Sequence, residues 1–136
     1  MTAPRGAGPP SFAVRLQYDV RAPARARALV RELLAAARVH RAESRADAML
    51  VVQELVTNAV THGSPDGAGD IEVSGRIDGS DLVLSVLDSG TTGEVAARPF
   101  TVEGDTGRGL SLVAALSAAW RVDRVRGTRV TAWISL

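Results

Sequence analysis

The stretch Glu54-Leu-Val-Thr-Asn58-Ala-Val-Thr-His62-Gly63 decides the fold, because it predicts a helix that carries a row of polar residues. Glu54, Asn58 and His62 recur at every fourth position, which places them within an arc of about 80° on a helix running from Ser44 to Gly63. The neighbouring arc is apolar and contains Ala48, Val51, Leu55 and Ala59. The polar row therefore borders the face that packs on the core. A solvated polar rim has the same spacing, so the row alone does not establish a site.

The composition is that of one globular domain. The chain has 136 residues, of which 46% are hydrophobic, and this length supports a single core. The absence of cysteine excludes disulfides and thiolate metal sites and fits a reducing compartment. No apolar run approaches the ~20 residues of a membrane span. We expect a flexible tail over residues 1–11, without a signal peptide, a single domain over residues 12–136, and a cytoplasmic location.

The charges are unevenly distributed along the chain. Residues 1–45 hold nine arginines and three acids, whereas the remainder holds seven arginines and twelve acids, and the net charge is +1. The first third is therefore suited to an acidic partner, although a solvated basic helix face gives the same pattern. The balanced total and the 4% aromatic content argue against nucleic acid. Because the chain has no lysine, any phosphate must be held by backbone N–H groups, arginine or a metal.

The hydrophobic pattern predicts an α+β fold with a sheet and helices on one face. The expected order is strand, two helices, two strands, a loop, a helix and two strands. The expected ranges are 12–18, 23–39, 44–63, 71–77, 82–87, 107–117, 120–125 and 127–136. The segment 91–106 shows no period and is long for a connection in so small a domain, so we interpret it as a lid-like functional loop.

Asp88 follows an apolar strand and precedes Ser89 and Gly90. A carboxylate fixed at a strand end can accept a hydrogen bond from the exocyclic amine of adenine. Glycine at position 90 would let a flat ring approach the backbone. An ordinary Asp-Ser-Gly turn has the same sequence, so the tripeptide by itself leaves both interpretations open.

Gly107-Arg108-Gly109 is expected to open the last helix, with Asp105 or Thr106 as its N-cap. Glycines at a helix N-terminus expose N–H groups to an anion, and the helix dipole favours negative charge there. Arg108 is suited to bind phosphate as well. A flexible helix start is the alternative interpretation.

The polar row on the central helix carries the remaining chemistry. The amide oxygen of Asn58 is a hard ligand suited to Mg²⁺. Glu54, one turn earlier, is placed to orient a nucleophilic hydroxyl and take its proton. His62 lies near the helix C-terminus, where a histidine is also electrostatically favourable without any catalytic role.

Taken together, these motifs resemble the GHKL ATPase family, which has the Bergerat ATP-binding fold, from about Phe12 to Leu136. Glu54 to Gly63 resembles the family's N box, Asp88-Ser-Gly90 its first glycine box, and Gly107-Arg108-Gly109-Leu110 its second. Thr128, after Gly127, falls where the family has a threonine in its last strand turn. The resemblance is greatest to the short anti-sigma factor and serine kinase branch. It implies a two-layer α/β sandwich whose mixed, mostly antiparallel sheet carries three helices on one face.

The resemblance also implies roles for single residues. Asn58 would bind Mg²⁺, Glu54 would act as general base, and Asp88 would bind the adenine amine. The backbone at Gly107 and Gly109 would hold the phosphates of ATP, and Thr128 would lie near adenine. The remaining expected nucleotide-site residues are His62, Gly90, Arg108 and Leu110.

The implied function is a protein serine kinase that phosphorylates an anti-sigma-factor antagonist and sequesters a sigma factor. A homodimer is expected by analogy with relatives, whereas direct nucleic acid and membrane binding are not expected. One departure stands out: the first glycine box usually reads Asp-x-Gly-x-Gly, and here the later glycine is Gly93, one position too far along. A nucleotide-gated binding module without phosphotransfer therefore remains a second hypothesis, and a structural domain without a ligand a third.

Overall fold

The computed structural model describes residues 8–90 and 104–136, and of residues 104–109 it describes the backbone alone. Within these ranges the chain forms its strands and helices in the predicted order, which confirms the α+β class. The elements are β1 (Ser11–Gln17), α1 (Ala22–Ala36), α2 (Ala42–His62), β2 (Asp70–Asp78), β3 (Asp81–Asp88), α3 (Gly104–Leu116), β4 (Ala119–Asp123) and β5 (Thr128–Ser135).

The strands form one five-stranded sheet in the order β1-β2-β3-β5-β4, with β1 and β4 at its edges. All pairings between the described strands are antiparallel, so the expectation of a mixed sheet is wrong for this part of the chain. The reason is the insertion of β5 between β3 and β4. These two strands run in the same direction, because each pairs antiparallel with β5, but they do not touch each other.

The three helices pack on one face of the sheet, as predicted. The sheet register places Val73 opposite Val86 and Val86 opposite Val130, so these residues share that face, and all three are buried in the core. The helices contribute Leu34, Val52 and Val113 to the same core. The apolar arc predicted for α2 is buried throughout, which confirms its orientation.

The same topology gathers several chain segments at one end of the sheet. The register pairs Asp88 at the end of β3 with Thr128 at the start of β5. The C-terminal end of α2 reaches this place too, since the backbone N–H of Ser89 donates to the carbonyl of Ser64 at 2.8 Å. Segments far apart in sequence therefore meet around Asp88 and Thr128, two of the residues predicted for the site.

Two expected features fall outside the described residues. A flexible tail was predicted for residues 1–11, and residues 1–7 of it are not described. The last residue of that range, Ser11, is the first residue of β1. Residues 91–103 of the lid-like loop, with Gly93 among them, also lie outside the described residues. In the part that is described, no helix is long and apolar enough to cross a lipid bilayer.

We predict that Leu34→Ala destabilises the domain strongly. Leu34 lies on α1 and its side chain is fully buried in the core, so its truncation leaves a cavity and should cost about 2–5 kcal/mol of unfolding free energy. Leu50→Ala is the matched control, because Leu50 lies on α2 with 45% of its surface exposed. Urea unfolding measures both variants, and equal losses of stability would contradict the assigned core.

Candidate functional site

A pocket lies between the C-terminal half of α2 and the ends of β3 and β5. It brings together six residues that the sequence predicted for a nucleotide site, namely Asn58, His62, Asp88, Gly90, Leu110 and Thr128. Its other lining residues are Leu55, Ala59, Gly63, Val86, Val122, Arg124 and Val130. Its lining therefore combines apolar side chains with a few polar groups, as is usual for small-molecule sites.

Glu54 does not line this pocket within the described residues. It is half-buried on α2, one turn before Asn58, on the side that the polar row predicted. The side chains of Asn58, His62 and Glu54 have no hydrogen-bond partner within the described ranges, so the Asn58 amide is open to a ligand.

The start of α3 differs from expectation. The helix begins at Gly104, three residues before the predicted start, so Asp105 and Thr106 lie within its first turn and are not N-caps. Gly107 and Gly109 lie beyond the N–H groups that a helix start leaves free. The side chain of Arg108 is outside the described atoms. Phosphate binding by these three residues stays a prediction.

Asp88 is the buried acid of the pocket, with only 9% of its surface exposed. Its Oδ1 atom accepts hydrogen bonds from the backbone N–H groups of Gly90 at 2.7 Å and Ser64 at 3.3 Å. Neither of these two hydrogen bonds involves Oδ2. Burial raises the pKa of this carboxyl, while the two N–H groups and the Arg124 charge act in the opposite direction.

Three glycine backbones enclose Asp88. A Cβ atom at Gly63 would lie 2.5 Å from the Asp88 Cγ, and one at Gly90 would lie 2.9 Å from Oδ1. A Cβ at Gly127 would lie 2.0 Å from the Asp88 carbonyl oxygen, and Gly127 also has a φ of +126°. Gly63 was expected as an ordinary helix stop. Its backbone is extended (φ −88°, ψ −161°), a conformation that any residue can adopt, so glycine is needed here because a side chain would not fit against Asp88.

Sequence reasoning missed Val122 and Arg124, and it missed the close packing of Gly63 and Gly127 on Asp88. The alternation of β4 could have indicated Val122 and Arg124, because Trp120, Val122 and Arg124 share one side of that strand and its extension. Thr128, which was predicted, has a contact that was not: its Oγ1 donates to the Gly90 carbonyl at 2.6 Å. This bond ties the start of β5 to the segment after β3.

The sequence matches the family described as "Histidine kinase-like ATPase domain" over residues 16–134. The chain belongs to this family. The predicted membership in the GHKL ATPases is thus confirmed, and ATP binding is what an ATPase domain of this kind implies.

A solved structure resembles the ATPase domain as well. It contains the RsbU and RsbW domains of Rv1364c from Mycobacterium tuberculosis, is 26% identical, and superposes with a TM-score of 0.71. The match covers 93% of this chain and 32% of that one, so the ATPase domain spans about a third of the length of its neighbour. None of the curated proteins matches the chain.

We predict that Gly63→Ala destabilises the ATPase domain by about 1–3 kcal/mol, because the new methyl group overlaps Asp88 and the Ala59 carbonyl. Gly67→Ala is the control: it lies in the next turn, where a Cβ meets nothing within 4 Å, and should change stability by less than about 0.5 kcal/mol. Urea unfolding of the two variants tests this, and a neutral Gly63→Ala would refute the close approach.

We also predict a pH dependence that belongs to Asp88. Because its pKa is raised on folding from the ordinary value of 3.8, the folded state holds the proton more tightly, and stability falls as pH rises from about 3.8 through the raised pKa. Asp88→Asn removes this decline. Unfolding free energies of both proteins, measured without nucleotide from pH 4 to 8, should diverge in favour of the variant as pH rises, and a constant difference would contradict the prediction.

Proposed function

We propose that this protein is an ATP-dependent serine/threonine protein kinase of the anti-sigma factor type. Its substrate would be an anti-sigma-factor antagonist, and it would sequester a sigma factor in the cytoplasm, as a homodimer. The observation that carries the proposal is the pocket itself. It is lined by a buried carboxylate, Asp88, and by the amide of Asn58 on α2, which has no described partner, within a fold shared with the RsbU–RsbW neighbour.

Asp88 supports adenine as the base. Since its Oδ1 atom already accepts two backbone N–H groups, Oδ2 is the oxygen left to accept a hydrogen bond. One acceptor oxygen suits the single exocyclic amine of adenine. Guanine presents two adjacent donors to a carboxylate and would need both oxygens. The held orientation of Asp88 therefore favours ATP over GTP.

Asn58 fits the role of magnesium ligand. Its amide is half-buried, lines the pocket and has no described partner, and an amide oxygen is a suitable hard ligand. Among the described residues no group of three or more acids or histidines is placed to hold a metal. Phosphate oxygens and water would therefore complete the coordination. Bound Mg²⁺ would neutralise charge on the transferred phosphoryl group.

Glu54 is our candidate general base. It lies on α2 one turn before Asn58, which lines the pocket, and its carboxylate would accept the proton of a serine hydroxyl. Arg108 would hold phosphate through its guanidinium group, and His62 would line the phosphate end. Most of the rate enhancement in such a transfer comes from positioning and charge neutralisation.

A nucleotide-gated binding module is the second candidate function. The observation that favours it is the position of Gly93, one residue beyond the usual second glycine of the first glycine box. In this case ATP would bind and shape a partner surface, without transfer of phosphate.

We predict that Glu54→Gln retains ATP binding within about twofold and loses at least about 100-fold in phosphotransfer, because only the proton acceptor is removed. Asn58→Ala should lose the magnesium-dependent part of ATP affinity. Glu43→Gln, in the first turn of the same helix, is the control and should retain both.

Calorimetry with ATP and magnesium measures binding, and γ-labelled ATP with purified antagonist-type domains measures transfer. ATP binding without transfer by the wild type would favour the binding module. Wild-type rates in Glu54→Gln would exclude Glu54 as the base, and absence of ATP binding would exclude both functions.

A further inference from the structure

The Tyr18 side chain forms a hydrogen bond next to the site that was not predicted from the sequence. It follows β1, and its backbone N–H donates to the Gly69 carbonyl at 3.0 Å. Its phenolic hydroxyl donates to the Gly63 carbonyl at 2.8 Å, across 45 residues of sequence. The ring is partly buried and packs against the hydrophobic core, so the hydroxyl is held in place by the body of the side chain.

The acceptor of this bond lies in the turn that holds Asp88. Gly63 packs so closely on the Asp88 carboxylate that a Cβ would lie 2.6 Å from Oδ2. The next residue, Ser64, donates its N–H to Oδ1 and accepts from the N–H of Ser89. The carboxylate orientation therefore depends on where the Gly63–Ser64 turn lies.

The turn is held from two sides. Ser89 and Asp88 hold it on the side of β3, and Tyr18 holds it on the side of β1. The Gly63 N–H bonds back to Ala59 within α2, which fixes the helix end but not the direction of the Gly63 carbonyl. Among the described contacts, the Tyr18 hydroxyl is the donor that fixes that carbonyl.

We propose that Tyr18 is a positioning residue for base recognition: its hydroxyl fixes the Gly63–Ser64 turn and, through it, the Asp88 carboxylate. Tyr18 does not line the pocket, so it acts through the turn and not by touching the nucleotide. The inference rests on the proposed binding of ATP and adds a residue from outside the nucleotide motifs of the sequence.

Tyr18→Phe tests this directly, because it keeps the ring in the core and removes only the hydroxyl. Thr131→Val is a matched control. It also removes one hydroxyl, which contacts Ser85 at 3.3 Å on the opposite face of the sheet. Both variants lose one hydrogen bond, and only the first bond leads to Asp88.

The readout is the affinity for two ligands, ATP and inorganic tripolyphosphate, each with magnesium. Tyr18→Phe should weaken ATP binding roughly three- to tenfold, the range expected for one misplaced hydrogen bond, and leave tripolyphosphate binding unchanged. Thr131→Val should change neither. A merely structural role for Tyr18 would lower the melting temperature and change neither affinity, or reduce both together, and either result would overturn the proposal.

A double-mutant cycle adds an independent check. In the Asp88→Asn background the hydroxyl has no carboxylate to orient, so Tyr18→Phe should cause no further loss of ATP affinity. Additive losses would overturn the proposal. If the wild type bound tripolyphosphate but not ATP, the proposed function itself would fail, because the adenine base would not be recognised. If the wild type and Tyr18→Phe bound ATP equally well, only the role proposed for Tyr18 would fail.

Discussion

The close packing of three backbone segments around Asp88 is the constraint on which the rest of the site depends. The end of α2, the end of β3 and the turn before β5 meet there at distances that leave no room for a Cβ atom at Gly63 or Gly127. A buried carboxylate is costly unless it is hydrogen-bonded, and the N–H groups of Ser64 and Gly90 meet part of that requirement. This packing also brings the end of β3 next to the start of β5, where Asp88 pairs with Thr128 at the edge of the pocket lining.

The fold was largely predictable because periodicity reports burial. Alternation in β2 and β3 and the helical spacing in α1 and α2 give elements that agree with the structure to within a few residues. The start of α3 was not predictable, since Gly104, Gly107 and Gly109 are poor helix formers and the local pattern favours a loop there. The position of β5 between β3 and β4 is also absent from any local pattern, because it is decided by long-range pairing.

The candidate site was predictable where a motif carried chemistry, as with Asn58, Asp88 and Thr128. It was not predictable where the contact joins distant segments through backbone atoms. Nothing in the sequence near Tyr18 indicates that its hydroxyl bonds to the Gly63 carbonyl. The sequence around Gly63 is that of an ordinary helix end. Likewise the alternation of β4 indicates which side of the strand Arg124 extends, but only the folded sheet shows that this side faces the pocket.

The glycine enclosure of Asp88 has a consequence for how such a domain can evolve. A larger acid at position 88 would collide with backbones that have no side chain left to trim, so only a side chain of about the size of aspartate, such as asparagine, fits there. Room for a larger acid would need backbone shifts in three separated segments at once. Replacements at this position in descendants of this chain should therefore keep the size of the side chain even where they change its charge.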